Sequence, residues 1–143
     1  MYIIKVIILT SYMNTYQFVG VHFCASYSGC KTQMTNLDEL KKAMKYAVEA
    51  SGATILGQID HIFGDDPTSH GYTSAFILSE SHATIHTYPE HGSCFVDLFT
   101  CGDHCSHERF DKALREYLQP TDISYQVLRR DSSIKILECK SIE

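Results

Sequence analysis

The sequence predicts a two-layer α+β sandwich, in which an antiparallel sheet carries two helices on one face. Two segments, residues 36–51 and 106–118, place apolar side chains at helical spacing. Six short segments rich in β-branched and aromatic residues surround them, in the order β-α-β-β-β-β-α-β. Because most strands follow one another without an intervening helix, hairpin connections and an antiparallel sheet are expected.

The first strand is predicted over residues 16–25, where apolar and polar residues alternate loosely. The first helix, residues 36–51, begins after Asn36, which with Glu39 forms an N-cap arrangement, and Gly52 ends it. Its apolar face comprises Leu37, Leu40, Met44, Ala47 and Val48.

The second helix, residues 106–118, is capped by Ser106 and ends near Pro120. Its apolar face comprises Phe110, Ala113, Leu114, Tyr117 and Leu118. The composition of residues 64–71 predicts a loop. The five remaining strands are predicted over residues 53–63, 72–79, 82–88, 93–100 and 122–130.

Length and composition indicate a single globular domain over residues 1–143. With 44% hydrophobic residues the chain can bury a core, and its net charge of −5 without a basic cluster argues against nucleic-acid or anionic-membrane partners. The apolar run near the N-terminus is shorter than the roughly 20 residues of a membrane span, and Lys5 interrupts it. We therefore expect a cytoplasmic protein with reduced thiols. Residues 1–15 are interpreted as an N-terminal extension. It either forms a strand that extends the sheet or, if Met13 is the true start, residues 1–12 are an upstream read-through.

Strand periodicity gathers candidate reactive groups on one face of the sheet. Side chains two residues apart share a face, which groups His82, Thr84, His86 and Tyr88 on one strand and Phe95, Asp97, Phe99 and Cys101 on the next. If these two strands form a hairpin, imidazole and thiol approach each other. Such a site can transfer protons or activate a thiolate.

Other interpretations of these residues remain open. A histidine on a strand is often a hydrogen-bonded structural residue, and a cysteine often a small core hydrophobe. A zinc site is a further alternative, since four potential ligands lie close together in the sequence, although no C-x2-C pair supports it. These ligands are Cys101, His104, Cys105 and His107. Residue patterns alone predict an α+β enzyme or binding module with a His/Cys site.

Residues 79–90 (SESHATIHTYPE), followed by residues 97–102 (DLFTCG), closely resemble the prokaryotic-type S-adenosylmethionine decarboxylase proenzymes, which are pyruvoyl-dependent. The resemblance extends over roughly residues 16–130. It includes Gly20, His22 and Ala25 in the pattern G-x-H-x-x-A, and the segment ASGATI at residues 50–55.

The resemblance implies that the chain cuts itself between Glu80 and Ser81, into residues 1–80 and 81–143. Ser81 would attack the Glu80 carbonyl to form an ester, and elimination would leave a pyruvoyl group derived from Ser81. In the family, the position of His86 serves this processing, and Thr73 stands where a serine supports it.

The resemblance also implies roles in decarboxylation. The pyruvoyl group would form a Schiff base with S-adenosylmethionine and act as the electron sink for loss of carbon dioxide. Cys101 would protonate the substrate α-carbon. Glu90 would accept hydrogen bonds from the ribose hydroxyls, and Tyr88 and Phe63 would hold the adenine and sulfonium. No metal is expected.

The family forms dimers with active sites near the subunit boundary, so we expect a homodimer of processed chains. Tyr88 stands where tryptophan is common, and Ala83 where a larger aliphatic residue is common. These two departures leave pyruvoyl-dependent arginine or ornithine decarboxylation as an alternative activity. A non-catalytic or zinc-binding homologue is the alternative of another class.

Overall fold

The structure is a computed structural model that describes residues 18–66 and 68–143. The strands are β1 (Gly20–Ser28), β2 (Ile55–Phe63), β3 (Gly71–Leu78), β4 (Ser81–Tyr88), β5 (Ser93–Thr100), β6 (Asp122–Arg130) and β7 (Ile134–Ile142). The helices are α1 (Leu37–Ser51), between β1 and β2, and α2 (His107–Leu118), between β5 and β6. The predicted α+β sandwich is confirmed.

Each helix is capped by the residue that the sequence indicates. The Asn36 side chain accepts a hydrogen bond from the Glu39 N–H, and α1 ends at Gly52, whose φ of 96° favours glycine. The Ser106 side chain accepts from the Arg109 N–H at the start of α2. These caps satisfy backbone groups that the helices leave unpaired, so they determine where each helix begins.

The strands form one antiparallel sheet in the order β2-β3-β4-β5-β1-β6-β7. The predicted hairpin of β4 and β5 is confirmed, with Ser81 opposite Thr100 and Tyr88 opposite Ser93. Strand β1 lies between β5 and β6, so Cys24 is opposite Asp97 on one side and Gln126 on the other.

The core lies between the two helices and one face of this sheet. From the sheet, Phe23, Tyr27 and Phe76 are fully buried, and from the helices Leu40 and Phe110 are. The hydroxyl of Tyr27 donates to the Asp111 carboxylate of α2, which Arg115 also contacts at 2.6 Å. This polar contact ties α2 to the central strand without leaving the Tyr27 hydroxyl unpaired.

The other face of the sheet, called the open face below, carries the candidate reactive groups. On β4, Ala83, Ile85 and Thr87 are buried towards the helices, whereas His82 and His86 are only half-buried. Strand parity therefore places the two histidines on the open face, as predicted.

The structure corrects the ends of the predicted sheet. Strand β7 pairs with β6, whereas the predicted sheet ends at Arg130. This strand is missed because it lies at the edge, its residues are nearly all exposed, and its apolar alternation changes phase between Ile136 and Leu137, next to an irregularity in the pairing with β6. Strand β1 begins at Gly20 rather than at residue 16. The expectations for residues 1–15 lie outside the described residues.

Neither helix in the described part of the chain is long and apolar enough to cross a membrane.

We predict that Leu114→Ala lowers the free energy of unfolding by about 3 kcal/mol, because it leaves a cavity in a closely packed core. Leu114 is fully buried between α2 and the sheet. Lys112→Ala, on the exposed side of the same helix, is the control and should change stability by less than about 0.5 kcal/mol. Both variants are made in a Ser81→Ala background, which prevents the expected self-cleavage, and their stabilities are measured by urea unfolding. Equal free energies of unfolding for the two variants would contradict the assignment of the core.

Candidate active site

The peptide bond between Glu80 and Ser81 lies in the turn that joins β3 to β4. The Glu80 carbonyl oxygen accepts hydrogen bonds from both the N–H and the thiol of Cys101, each at 3.1 Å. Cys101 reaches this carbonyl because Thr100, the last residue of β5, is opposite Ser81. Two donors on one carbonyl oxygen polarise the carbonyl and stabilise negative charge that develops there.

The Glu80 side chain is also held by hydrogen bonds. Its carboxylate accepts a hydrogen bond from the Thr54 N–H at 2.9 Å and faces His104 Nε2 at 3.3 Å. The Thr54 N–H, with support from His104, lowers the pKa of Glu80. Ser81, the next residue, has a φ of 157°, which non-glycine residues rarely adopt. The cleavage site predicted from the resemblance therefore lies in a turn that hydrogen bonds hold, with unusual backbone geometry at Ser81.

The Ser81 hydroxyl lies next to the His82 imidazole, which in turn faces the Asp97 carboxylate on the open face. Ser81 Oγ is 3.1 Å from His82 Nδ1. Asp97 Oδ1 is 3.7 Å from His82 Nε2 and 3.5 Å from His22 Nε2. Burial alone would raise the pKa of Asp97, but interactions with His22 and Thr84 outweigh it and hold this pKa below its usual range.

The other predicted processing residues lie along the sheet from Ser81. Thr73 Oγ1 and His86 Nδ1 form a short hydrogen bond of 2.5 Å between paired positions of β3 and β4. Since a strand rises about 3.3 Å per residue, His86 is about 16 Å from Ser81. The structure brings His86 and Thr73 together, but it does not bring either of them to Ser81 within one chain.

The three predicted substrate-binding residues share one pocket, near His86. Phe63, Tyr88 and Glu90 line a depression of about 390 Å³. The His86 ring lies edge-on to Phe63, with 5.4 Å between ring centroids, and to Tyr88, with 4.7 Å. Aromatic faces beside a carboxylate suit a ligand that combines a flat or cationic group with hydroxyls.

The four ligands of the zinc alternative do not form one cluster among the described residues. The Cys101 thiol is hydrogen-bonded to Glu80, and His107 stacks on Phe23 and faces Glu108. His104 and Cys105 instead lie close to the Glu80 carboxylate. Six free thiols are found at Cys24, Cys30, Cys94, Cys101, Cys105 and Cys139.

Sequence reasoning missed two contributors to the site. His22 reaches Asp97 from β1, and Arg130 Nη1 donates to His22 Nδ1 at 3.4 Å from β6. Strand parity assigns a residue to one face of the sheet but does not say which strand lies beside β5. The contact between His22 and Asp97 could therefore be found only once the order of the strands was known. His82 and Asp97 lie on the face where strand periodicity predicts them, but the sequence alone assigns neither residue a role.

Comparisons with known proteins match the chain to one family. The sequence profile of the S-adenosylmethionine decarboxylase family matches residues 21–131. The chain is 42% identical over 87 residues to an S-adenosylmethionine decarboxylase proenzyme of Fervidobacterium nodosum, covering 60% of this chain and 61% of that protein. It is 31% identical to that of Methanococcus aeolicus, covering 82% of this chain and 97% of the relative.

A solved structure extends the likeness to the fold. The crystal structure of the adenosylmethionine decarboxylase from Aquifex aeolicus superposes with a TM-score of 0.66 at 28% identity, covering 78% of this chain and 90% of that one. These comparisons do not favour arginine or ornithine decarboxylases, nor a zinc-binding homologue. The matched segments span less than two thirds of the Fervidobacterium protein but nearly all of the Methanococcus protein. The family predicted from the sequence is confirmed: the chain belongs to the S-adenosylmethionine decarboxylase family, whose relatives named above are decarboxylases and their proenzymes.

Proposed function

We propose that this chain is a proenzyme that cuts itself between Glu80 and Ser81 and then decarboxylates S-adenosylmethionine. The product would be decarboxylated S-adenosylmethionine, the aminopropyl donor for spermidine. The observation that carries this proposal is the pair of hydrogen bonds from Cys101 to the Glu80 carbonyl oxygen, directly before Ser81. Family membership supports the reaction, and these contacts support the position of the cut.

Self-cleavage would begin with attack of the Ser81 hydroxyl on the Glu80 carbonyl carbon, which converts the peptide bond into an ester. Cys101 stabilises the negative charge on the carbonyl oxygen, while Thr54 and His104 hold the Glu80 side chain in place. Elimination requires removal of the α-proton of residue 81. It releases Glu80 as the end of the chain 1–80, and residue 81 becomes the pyruvoyl start of the chain 81–143.

The base for elimination, His86, would come from a second copy of the chain. Within one copy His86 lies about 16 Å along the strand from Ser81, and its Nδ1 is bonded to Thr73. If two open faces stack antiparallel, the His86 end of one β4 meets the Ser81 end of the other. This arrangement supports the expected homodimer and assigns each active site residues from both chains.

The composition of the open face also supports a dimer. It exposes apolar side chains that a monomer would leave in water, including Phe95 at 49% and Ile59 at 74% relative exposure. Further members of this set, on strands at both sides of the sheet, are Phe63, Ile77, Ile134 and Ile136. Exposed apolar surface that runs across a sheet marks an interaction face.

The surroundings of residue 81 fit a pyruvoyl group, since the thiol and the N–H of Cys101 and the imidazole of His82 lie there. When formed, that group supplies an electron sink for the substrate's amine-bearing carbon. The Cys101 thiol donates a hydrogen bond to the Glu80 oxygen, which supports a role as an acid beside residue 81. It is the proposed donor to the substrate α-carbon. Phe63 and Tyr88 would hold the adenine and sulfonium, and Glu90 the ribose hydroxyls.

Intact mass under denaturing conditions should reveal two chains, residues 1–80 and 81–143, with a pyruvoyl-blocked second chain. Ser81→Ala should give one uncleaved chain, because it removes the attacking hydroxyl. Ser79→Ala is the matched control, since Ser79 is an exposed serine two residues earlier, and it should cleave normally. A single mass for the wild-type protein after long incubation would refute the proposed function.

Cys101→Ala should still cleave, about tenfold more slowly, because one hydrogen bond of about 1.4 kcal/mol to the carbonyl is lost and the N–H remains. Decarboxylation by the cleaved variant should fall by at least about 100-fold, because the proton donor is missing. Cys139→Ala removes an exposed thiol and should leave both rates unchanged. Full decarboxylase activity in Cys101→Ala would rule out its role as the acid.

Co-expression of a Ser81→Ala chain with a His86→Ala chain tests the shared site. In the mixed dimer, only the His86→Ala chain keeps Ser81, and its partner supplies an intact His86. That chain alone should therefore be cleaved, although neither variant cleaves when expressed by itself. Differently tagged chains and intact mass give the measurement; no cleavage in a demonstrated mixed dimer would contradict a site shared between two copies.

A further inference from the structure

His82 contacts the hydroxyl on which self-cleavage depends. Its Nδ1 lies 3.1 Å from Ser81 Oγ, and its other ring nitrogen, Nε2, lies 3.7 Å from the Asp97 carboxylate. An ionised carboxylate only accepts hydrogen bonds, so it favours the tautomer that carries the proton on Nε2. The lone pair on Nδ1 then faces the Ser81 hydroxyl.

Asp97 is held in place from two neighbouring strands. Thr84 Oγ1 of β4 donates to Asp97 Oδ2 at 2.5 Å, and His22 Nε2 of β1 lies 3.5 Å from Oδ1. Arg130 donates to Nδ1 of His22 at 3.4 Å, so the ring N–H of His22 is at Nε2 and lies on the side of Asp97, at a distance too long for a full hydrogen bond. The carboxylate beside His82 is thus fixed in position and supported in its ionised form.

We propose that His82 is the base that takes the hydroxyl proton of Ser81 in the first step of self-cleavage, with Asp97 positioning its ring. This inference rests on the proposed self-cleavage. It separates two proton transfers: His82 acts on the hydroxyl, and His86 acts later on the α-proton. Among the described residues, His82 is the imidazole hydrogen-bonded to Ser81 Oγ, whereas His104 faces Glu80 and His86 is bonded to Thr73.

The step balances without a co-reactant. As the bond from Ser81 Oγ to the Glu80 carbonyl carbon forms, the hydroxyl proton passes to His82 Nδ1. The carbonyl oxygen carries the negative charge, which the two donors of Cys101 stabilise. When the bond from that carbon to the Ser81 nitrogen breaks, the nitrogen takes the proton from His82 and becomes an amine. The products are the ester and a neutral His82, ready for the reverse reaction or for elimination.

His82→Asn tests the basicity of this residue separately from its hydrogen bond. The asparagine Oδ1 can accept from Ser81 in place of Nδ1 but cannot take a proton at neutral pH. Ester formation should slow by at least about 100-fold, the contribution of a general base. The measurement is intact mass with and without hydroxylamine, which cuts esters. His86→Ala is the comparator: it should accumulate ester that hydroxylamine cleaves, whereas His82→Asn should not.

Added imidazole should speed cleavage of His82→Ala at least tenfold, because a small base can enter the space that the side chain vacates. It should leave the wild-type rate unchanged. Wild-type cleavage rates in His82→Asn, or hydroxylamine-sensitive ester in it, would overturn the inference while leaving the proposed function intact. A wild-type chain that never cleaves would refute the proposed function itself.

The pH dependence of ester formation gives a test that needs no change at His82. In His86→Ala, the rate of ester formation should fall towards acid pH, because a general base must be unprotonated to accept a proton. The groups packed against His82 are Asp97 and His22, with Arg130 behind His22. His22→Gln should keep this acid limb. A rate that does not change from pH 5 to 8 would overturn the inference.

Discussion

The hydrogen bond from the Cys101 N–H to the Glu80 carbonyl is the contact on which the site depends. It extends the ladder between β4 and β5 by one rung, and it exists because Ser81 is opposite Thr100. A shift of one residue in this pairing would turn every β4 side chain to the other face. Burial of Ile85 and Val96 under the helices prevents that shift, so the core maintains the register that holds Cys101 against the Glu80 carbonyl.

Local rules predict much of this arrangement. The caps at Asn36 and Ser106 and the parity of His82 and Asp97 follow from spacing and residue type alone. The contact of His22 with Asp97 could not be predicted, because it requires β1 to lie beside β5, and that order is decided by how the whole sheet packs. The contact of the Glu80 side chain could not be predicted either, because its partner is the backbone N–H of Thr54, 26 residues earlier in the sequence.

The sheet also divides the predicted functional residues into two groups at opposite ends of β4. Ser81, His82 and Cys101 lie at one end, and His86 and the aromatic pocket with Glu90 at the other. One extended strand cannot fold back on itself, so the distance between the groups is built into the secondary structure. The family resemblance assigns roles to both groups, and the distance between them agrees with the proposal that a site combines residues from two copies.

The position of β1 affects how the cleaved protein could refold. A cut after Glu80 would leave β1 on the longer piece, residues 1–80, yet β1 lies between β5 and β6 of the shorter piece, residues 81–143. Each piece then contributes strands inside the other's sheet, and neither has a complete set of neighbours by itself. The uncut chain folds as a single molecule, but a denatured mature protein would have to reassemble from two. Refolding of the cleaved protein would therefore depend on the concentration of the two chains. The precursor folds before the cut, and the cut removes the covalent link that made this folding independent of concentration.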